Sequence, residues 1–361
     1  METNTQVVQL QESIQILNQL KLQLNANHSL LQLNATLYPT KGNAGAVNAE
    51  FYRDLALEEN VRKWIESRST VDIIMRRYQQ HDSRLEDLSW PRHFATHFIN
   101  VDGILKNMKN IFMFFPEVLG IHGNSGDDYF GLEFIDIWSS VFNEIIFPCM
   151  RKVFDNTSLK YLYSSLRPQL EKTIFLASVF HEIGHRISIW KVSPVKDDRL
   201  CINKFHTDVF GELSTDMFLV NHLSEFPEIL YFVFLQRIFW FGRFDFSQDT
   251  ISGALNRDND TWISAYLWQH YVDHKAIVMT DIDSWHVDID SLPNVFRHIL
   301  EDLIQLESDV VKVPKDEQDI YLATWMKKRV PYKNGRFIYP DTQRELFIRC
   351  ITVPELPTIK F

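Results

Sequence analysis

The chain has 361 residues, 45% of them hydrophobic, enough to bury a full core in one large domain or two small ones. Lysine and arginine total 37 against 47 for aspartate and glutamate, and the net charge of −10 argues against phosphate backbones and anionic membranes as partners. The three cysteines, Cys149, Cys201 and Cys350, are odd in number and widely spaced, which suits neither a disulfide framework nor a thiolate metal site.

The opening METNTQVVQLQESIQILNQL has no basic run, and glutamines interrupt its apolar residues, so it does not read as a secretory signal. With the cysteine usage, this sets the expectation of a cytoplasmic protein. Leu10, Ile14, Leu17 and Leu24 recur at helical spacing and predict an N-terminal amphipathic helical segment over 1–37. That face would pack on the chain's own body or serve helix-mediated self-association. YPTKGNAGAVN (38–48) has loop composition. Successive helices are expected from Ala49 to Phe115, followed by a loop at IHGNSGDDYFG (121–131).

Helical periodicity resumes near Glu133 and runs to about Lys275, with breaks expected at Pro148, Pro168 and Pro194. The most apolar stretch, Ile229 to Phe246, is interrupted by Gln236 and Arg237 before it reaches the ~20 residues of a membrane span, and is read as core. Arg237 and Arg243 within it would pair with core acids, or meet a substrate carboxylate. The acidic TDIDSWHVDID is read as a solvated loop, and Asn334-Gly335 between two short aromatic or β-branched runs signals a hairpin. There is no internal repeat and no glycine-rich phosphate loop. The expected fold is mainly α, a helical metallohydrolase-like domain with a small β-hairpin near the C-terminus. Its catalytic part would span 49–290, with a C-terminal helix and hairpin (291–361) packed on the same domain.

One short segment carries chemistry. SVFHEIGHRISIW sets His181, Glu182 and His185 in apolar surroundings. On a helix, i and i+4 share a face, so both imidazoles can reach one metal ion. Glu182 lies about 100° round from His181, too far to be a third ligand but close enough to reach water at the metal. Gly184 costs ~1 kcal/mol against alanine in mid-helix, which suggests a close approach to the backbone there. The metzincin continuation is absent, because Ser188 and Lys191 stand where it needs Gly and His. Downstream, FGELSTDMFLVNHL places Glu212 and Asp216 at i, i+4 on an apparent second helix, for which Asp208 is a plausible N-cap.

This H-E-x-x-H followed one helix later by E-x-x-x-D resembles the gluzincin zinc metallopeptidases, the thermolysin and dipeptidyl-peptidase III type of arrangement. The match is confined to about residues 181–216. The resemblance implies His181, His185 and Glu212 as ligands of one Zn2+ per chain, Glu182 as general base, and Asp216 orienting a ligand histidine through its other ring nitrogen. His206 is the next candidate for third ligand.

Rival readings differ in what they require. Ferritin-like di-iron centres need a second E-x-x-H, and no other histidine has glutamate three residues before it. An HD-like phosphohydrolase or oxygenase needs Asp where Glu182 stands. A non-catalytic helical interaction protein would leave the histidines as core; H-x-x-x-H recurs without glutamate at His93/His97 and His270/His274. For an oxyanion donor, the segment around Tyr266 offers His270, with Tyr271 in reserve. The reading adopted is a metal-dependent hydrolase, a metallopeptidase or amidase acting on a peptide or small amide. The ligand set admits other divalent metals besides zinc.

Overall fold

The structure, a computed structural model, describes residues 2–37, 44–81, 92–107, 113–115, 130–187, 200–244, 246–255, 258–280 and 283–358. The chain divides into two units, 1–140 with 356–361, and 141–355. The division falls inside the span 49–290 expected as one domain.

Helices dominate, but the first unit is built on a mixed five-stranded sheet of order β1-β2-β3-β5-β4, and this corrects the expectation of a hairpin as the main β element. Its strands are β1 (Leu30–Leu37), β2 (Gly45–Arg53), β3 (His93–Gly103), β4 (Met113–Phe114) and β5 (Gly131–Phe134). The first three run antiparallel, β5 lies parallel to β3, and β4 closes the edge antiparallel to β5. Strand β1 alternates without fault, burying Leu31, Leu33, Ala35 and Leu37 and exposing Gln32, Asn34 and Thr36, as a strand with one solvated face must. The helices expected from Ala49 to Phe115 therefore give way to strands at both ends of that span. Between them stand α2 (Leu55–Glu66) and α3 (Ser69–His81), with the single turn α4 (Ile104–Asn107) after β3.

Helix α1 (Glu2–Asn25) lays Leu17, Leu20 and Leu24 on the apolar face of this sheet, in one cluster with Leu31, Leu33, Phe51 and Phe134. The buried stripe runs through Ser13, Leu17, Leu20 and Leu24, and Ile14 points outward. His93 and His97 sit on β3, so they form no helical pair. The buried His93 Nδ1 meets Glu133 at 3.1 Å, and His97 Nδ1 meets Asp136 at 2.9 Å.

Helix α5 (Ile135–Val141) crosses the division in sequence. The second unit follows with a π-helical turn (Phe142–Ile146), α6 (Phe147–Val153), α7 (Asn156–Leu166), α8 (Leu170–Ile187), α9 (Lys204–His222), α10 (Pro227–Phe239) and α11 (Asn259–Asp273). Pro148 does not break the helical run, which continues from the π-helical turn Phe142–Ile146 directly into α6; the proline stands just after that irregular turn, where the regular bond ladder is already interrupted. Pro168 does separate α7 from α8 through a 3-10 turn. Pro194 and residues 121–129 lie outside the described residues. A short hairpin of β6 (Ile277–Met279) and β7 (Trp285–Val287) replaces part of the expected acidic loop. Then come α12 (Leu292–Val310), α13 (Gln318–Lys327), the hairpin of β8 (Tyr332–Lys333) and β9 (Arg336–Phe337), and α14 (Asp341–Arg349). Asn334 and Gly335 both have positive φ (51° and 78°), the conformation that a two-residue type I′ turn demands.

Every residue of α10 from Ile229 to Phe239 is buried. Just beyond it, the buried Arg243 donates to the carbonyls of Cys350 (3.1 Å) and Val353 (2.8 Å) and contacts Cys149 Sγ at 3.1 Å. Two cysteines distant in sequence are thus neighbours round one cation. No helix among the described residues is long and apolar enough to cross a membrane. Arg243→Leu removes both bonds, leaving Cys350 O only its bond from Val353 N and Val353 O without this donor, and should cost on the order of 3 kcal/mol. A urea midpoint unchanged from wild type would contradict this anchoring.

Candidate metal centre

Helix α8 buries Ile174, Phe175, Val179, Phe180 and Ile183, and this packing turns its remaining face, with His181 and His185, toward α9. The two imidazoles stand one turn apart with ring centroids 4.6 Å from each other and planes at 87°. Glu212 on α9 reaches both: Oε2 is 3.1 Å from His181 Nε2, and Oε1 is 3.5 Å from His185 Nε2. Among the described residues, these three side chains form the one group of metal-ligating residues whose donor atoms all lie within 4.8 Å of one another.

The far side of each ring is also held. His181 Nδ1 lies 2.9 Å from Oδ1 of the buried Asp216, and His185 Nδ1 lies 3.3 Å from Thr215 Oγ1. With Nδ1 engaged, Nε2 of each ring is the atom left toward Glu212, the arrangement that fixes tautomer and aim in histidine metal sites. Glu182 follows His181 directly and keeps partial exposure.

Gly184 explains the intimacy of the two helices. A Cβ built there would stand 2.7 Å from Thr215 Cγ2, so glycine is what lets Thr215 approach His185. Behind the carboxylates, Arg237 of α10 is 1% exposed and lies under the Phe241 ring at 4.7 Å. Its Nε donates to Asp216 Oδ2 (2.5 Å), Nη1 to Asp260 Oδ1 (2.5 Å) and Nη2 to Glu212 Oε2 (3.4 Å). The sequence hint that Arg237 meets a core acid is met three times over.

The field is cation-seeking. Burial raises the Glu212 carboxyl, but His185 and His181, with Arg237, overcome this and hold it far below the usual carboxylate range. Burial opposes charge on His181, yet Glu212 and Asp216 hold its pKa well above that of ordinary histidine. Asp260 goes the other way: burial outweighs Arg237 and lifts it to about 6.

The other candidates do not join this group of donor atoms. His206 Nδ1 is bound by Asp319 (2.8 Å) and contacts Asn203 Nδ2 (3.2 Å). Asn203, not Asp208, caps α9 by accepting from His206 N; Asp208 is inside the helix, paired with Lys204. Tyr271 is fully buried near Asp216 and Arg237, and its hydroxyl has no hydrogen-bond partner. His270 is half-buried against Tyr266, and the charged groups that act on it are Asp302, His274, Asp273 and Arg329, none of them from the cluster. Ser158, His286 and Asp155 gather as well, but serine and aspartate share His286 Nδ1 (3.4 and 2.8 Å), so no proton relay runs through the ring.

No family model and no curated protein sequence matches the chain. Solved structures do. The dipeptidyl-peptidase III of Corallococcus sp. strain EGB superposes with a TM-score of 0.55 at 11% identity, over 92% of this chain and 59% of that one. The DPP III of Caldithrix abyssi gives 0.54 at 12% identity, over 92% of this chain and 60% of that one. The likeness is one of fold, and this chain spans about 60% of the length of those proteins.

With His185 as a zinc ligand, Gly184→Ala, by pushing Thr215 off its ring, would weaken zinc affinity about tenfold, the usual penalty for a disturbed outer partner. Competition with a chromophoric chelator reads the affinity, and an affinity equal to that of the wild type would refute the role given to this contact.

Proposed function

We propose that the chain is a zinc-dependent hydrolase of peptide or small amide bonds, with His181, His185 and Glu212 as the metal ligands. The observation that carries this reading is the convergence of two Nε2 atoms and one carboxylate, each histidine fixed from behind, in a chain folded like dipeptidyl-peptidase III. The donor set suits zinc, which favours imidazole with one carboxylate and one open position in catalytic sites. When bound, the ion supplies Lewis acidity, which lowers the pKa of water and polarises a carbonyl.

The chain's own residues do the rest. Asp216 holds the proton on His181 Nδ1, so that Nε2 keeps its lone pair for the ion. Arg237 balances Glu212 and Asp216 and keeps both carboxylates in place as the ion comes and goes. Glu182, beside His181 but off the ligand face, takes a proton from the attacking water and delivers it to the leaving amine. The placement of His270 and Tyr271 supports neither as the oxyanion donor, and that role is left unassigned.

Elemental mass spectrometry on untagged protein should find about one zinc per chain, lost in His181→Ala and His185→Ala and greatly weakened in Glu212→Ala. Iron at one or two per chain would favour the oxygenase alternative, and no metal with no uptake on reconstitution would sink the proposal. Asp216→Asn should retain zinc about tenfold more weakly. Glu182→Gln should retain zinc fully and lose at least a hundredfold in turnover of a peptide substrate. Unchanged turnover in that variant would remove Glu182 as the base.

A further inference from the structure

The second buried arginine, Arg243, stands in a setting opposite to that of Arg237. Where Arg237 meets three carboxylates, Arg243 bonds to none among the described residues. It is 1% exposed, its Nε has no hydrogen-bond partner, and its other donors reach the carbonyls of Phe239, Cys350 and Val353 and one sulfur. A buried cation without an anion is costly, so the nearest group able to become one matters. That group is a pair of thiols. Cys149 Sγ lies 3.1 Å from Arg243 Nη1, Cys350 Sγ lies 3.9 Å from Cys149 O, and the two thiols hydrogen-bond to each other. We propose that Cys149 and Cys350 form a redox-modifiable dithiol, which a peroxide converts to a disulfide between α6 and α14.

The surroundings give the two sulfurs different parts. Burial pushes the Cys149 thiol up, so it keeps its proton and donates toward Cys350. That hydrogen bond draws the Cys350 thiol below its ordinary value against burial, and Arg243, Lys152 and Arg349 add to the effect. A thiolate beside a guanidinium is the nucleophilic form of cysteine. With hydrogen peroxide, the Cys350 sulfur attacks one oxygen, the O–O bond breaks, and hydroxide leaves to take a proton from solvent as water. The Cys149 sulfur then attacks the sulfenic sulfur of Cys350. The S–S bond forms, the S–O bond breaks, and the departing hydroxide takes the Cys149 proton. Two thiols are oxidised to one disulfide, and one peroxide is reduced to two waters.

The two cysteines stand 201 residues apart, so their disulfide closes a loop that contains α8, α9, α10 and α11. The longer the loop a crosslink closes, the more freedom it removes from the unfolded chain. Both cysteines are buried, but Cys350 is the residue on which α14 ends, between the exposed Ile348 and Ile351. Peroxide is hardly larger than water, and fraying of that last turn admits it. Cys201 is exposed and has no part in the pair. No ligand of the proposed zinc centre takes part either.

The full chain carrying Cys201→Ser keeps only this pair of thiols and is the protein to test. After treatment of the folded protein with hydrogen peroxide, the free thiols counted on unfolding should fall from two to none and return with dithiothreitol. An unreduced digest should then contain a peptide that links Cys149 to Cys350. The oxidised protein should melt at a higher temperature than the reduced one. Adding Cys149→Ser should stop the reaction at a sulfenic acid on Cys350, which dimedone labels, and adding Cys350→Ser should leave Cys149 a thiol. Neither serine variant should gain in melting temperature. Two thiols still free after a treatment that oxidises Cys201 in the wild type overturn the proposal. A linked peptide that forms only when peroxide is added to the unfolded chain overturns it as well.

Discussion

The guanidinium of Arg237 carries the electrostatic load of the centre. Three carboxylates, Glu212, Asp216 and Asp260, converge on it from α9 and α11, in a place where Arg237 and Asp216 are almost wholly removed from water. Taking such charges out of water costs several kcal/mol apiece unless each meets an opposite charge in good geometry. One planar cation with its donors fanned in three directions meets that condition where a lysine, a point charge on a flexible stem, would not. This is the physical reason an arginine interrupts the run ILYFVFLQRIFWF. It is the price of keeping Asp216 ionised behind a histidine. Without it, Asp216 would become protonated or turn away, and the tautomer of His181 would be free to change.

From that anchor, the division of labour among the helices follows. Helix α8 contributes imidazoles at i and i+4, and α9 contributes carboxylates at i and i+4. The two periodicities match across the contact, so His181 sees Glu212 from one nitrogen and Asp216 from the other. The match depends on the distance between helices. Gly184 sets that distance, because any side chain there would meet Thr215. A glycine that weakens α8 as an isolated helix is thus what makes α8 and α9 a working pair, and its local cost is offset by the packing it permits.

Much of this centre was legible in the sequence, and the reason is that helical spacing converts directly into geometry. Two residues four apart share a face whatever the rest of the chain does, so His181 with His185 and Glu212 with Asp216 could each be read as a unit. Asn334-Gly335 was legible for a similar reason, since few other residue pairs adopt two successive positive φ values. What escaped depends on partners distant in sequence. The sheet of the first unit was hidden because half of β1 is leucine, a good helix former, and only its pairing with β2 decides the matter. The same blindness made His93 and His97 look like a helical pair. Asp260 joined the site through Arg237, 23 residues away, and nothing local marked it. The conjunction of Cys149 and Cys350 round Arg243 is likewise a product of tertiary structure alone.

The pKa shifts at the centre carry one more implication. Glu212 is driven down and His181 up by the same field, which means that a positive charge between them is what the surrounding carboxylates favour. In the absence of any other cation, a proton on His181 answers that demand, bridging to Glu212 at 3.1 Å. A divalent ion held by both histidines and Glu212 would answer it with twice the charge, but would first have to displace that proton. Proton and metal would therefore compete for one position, and the competition would favour the metal as pH rises.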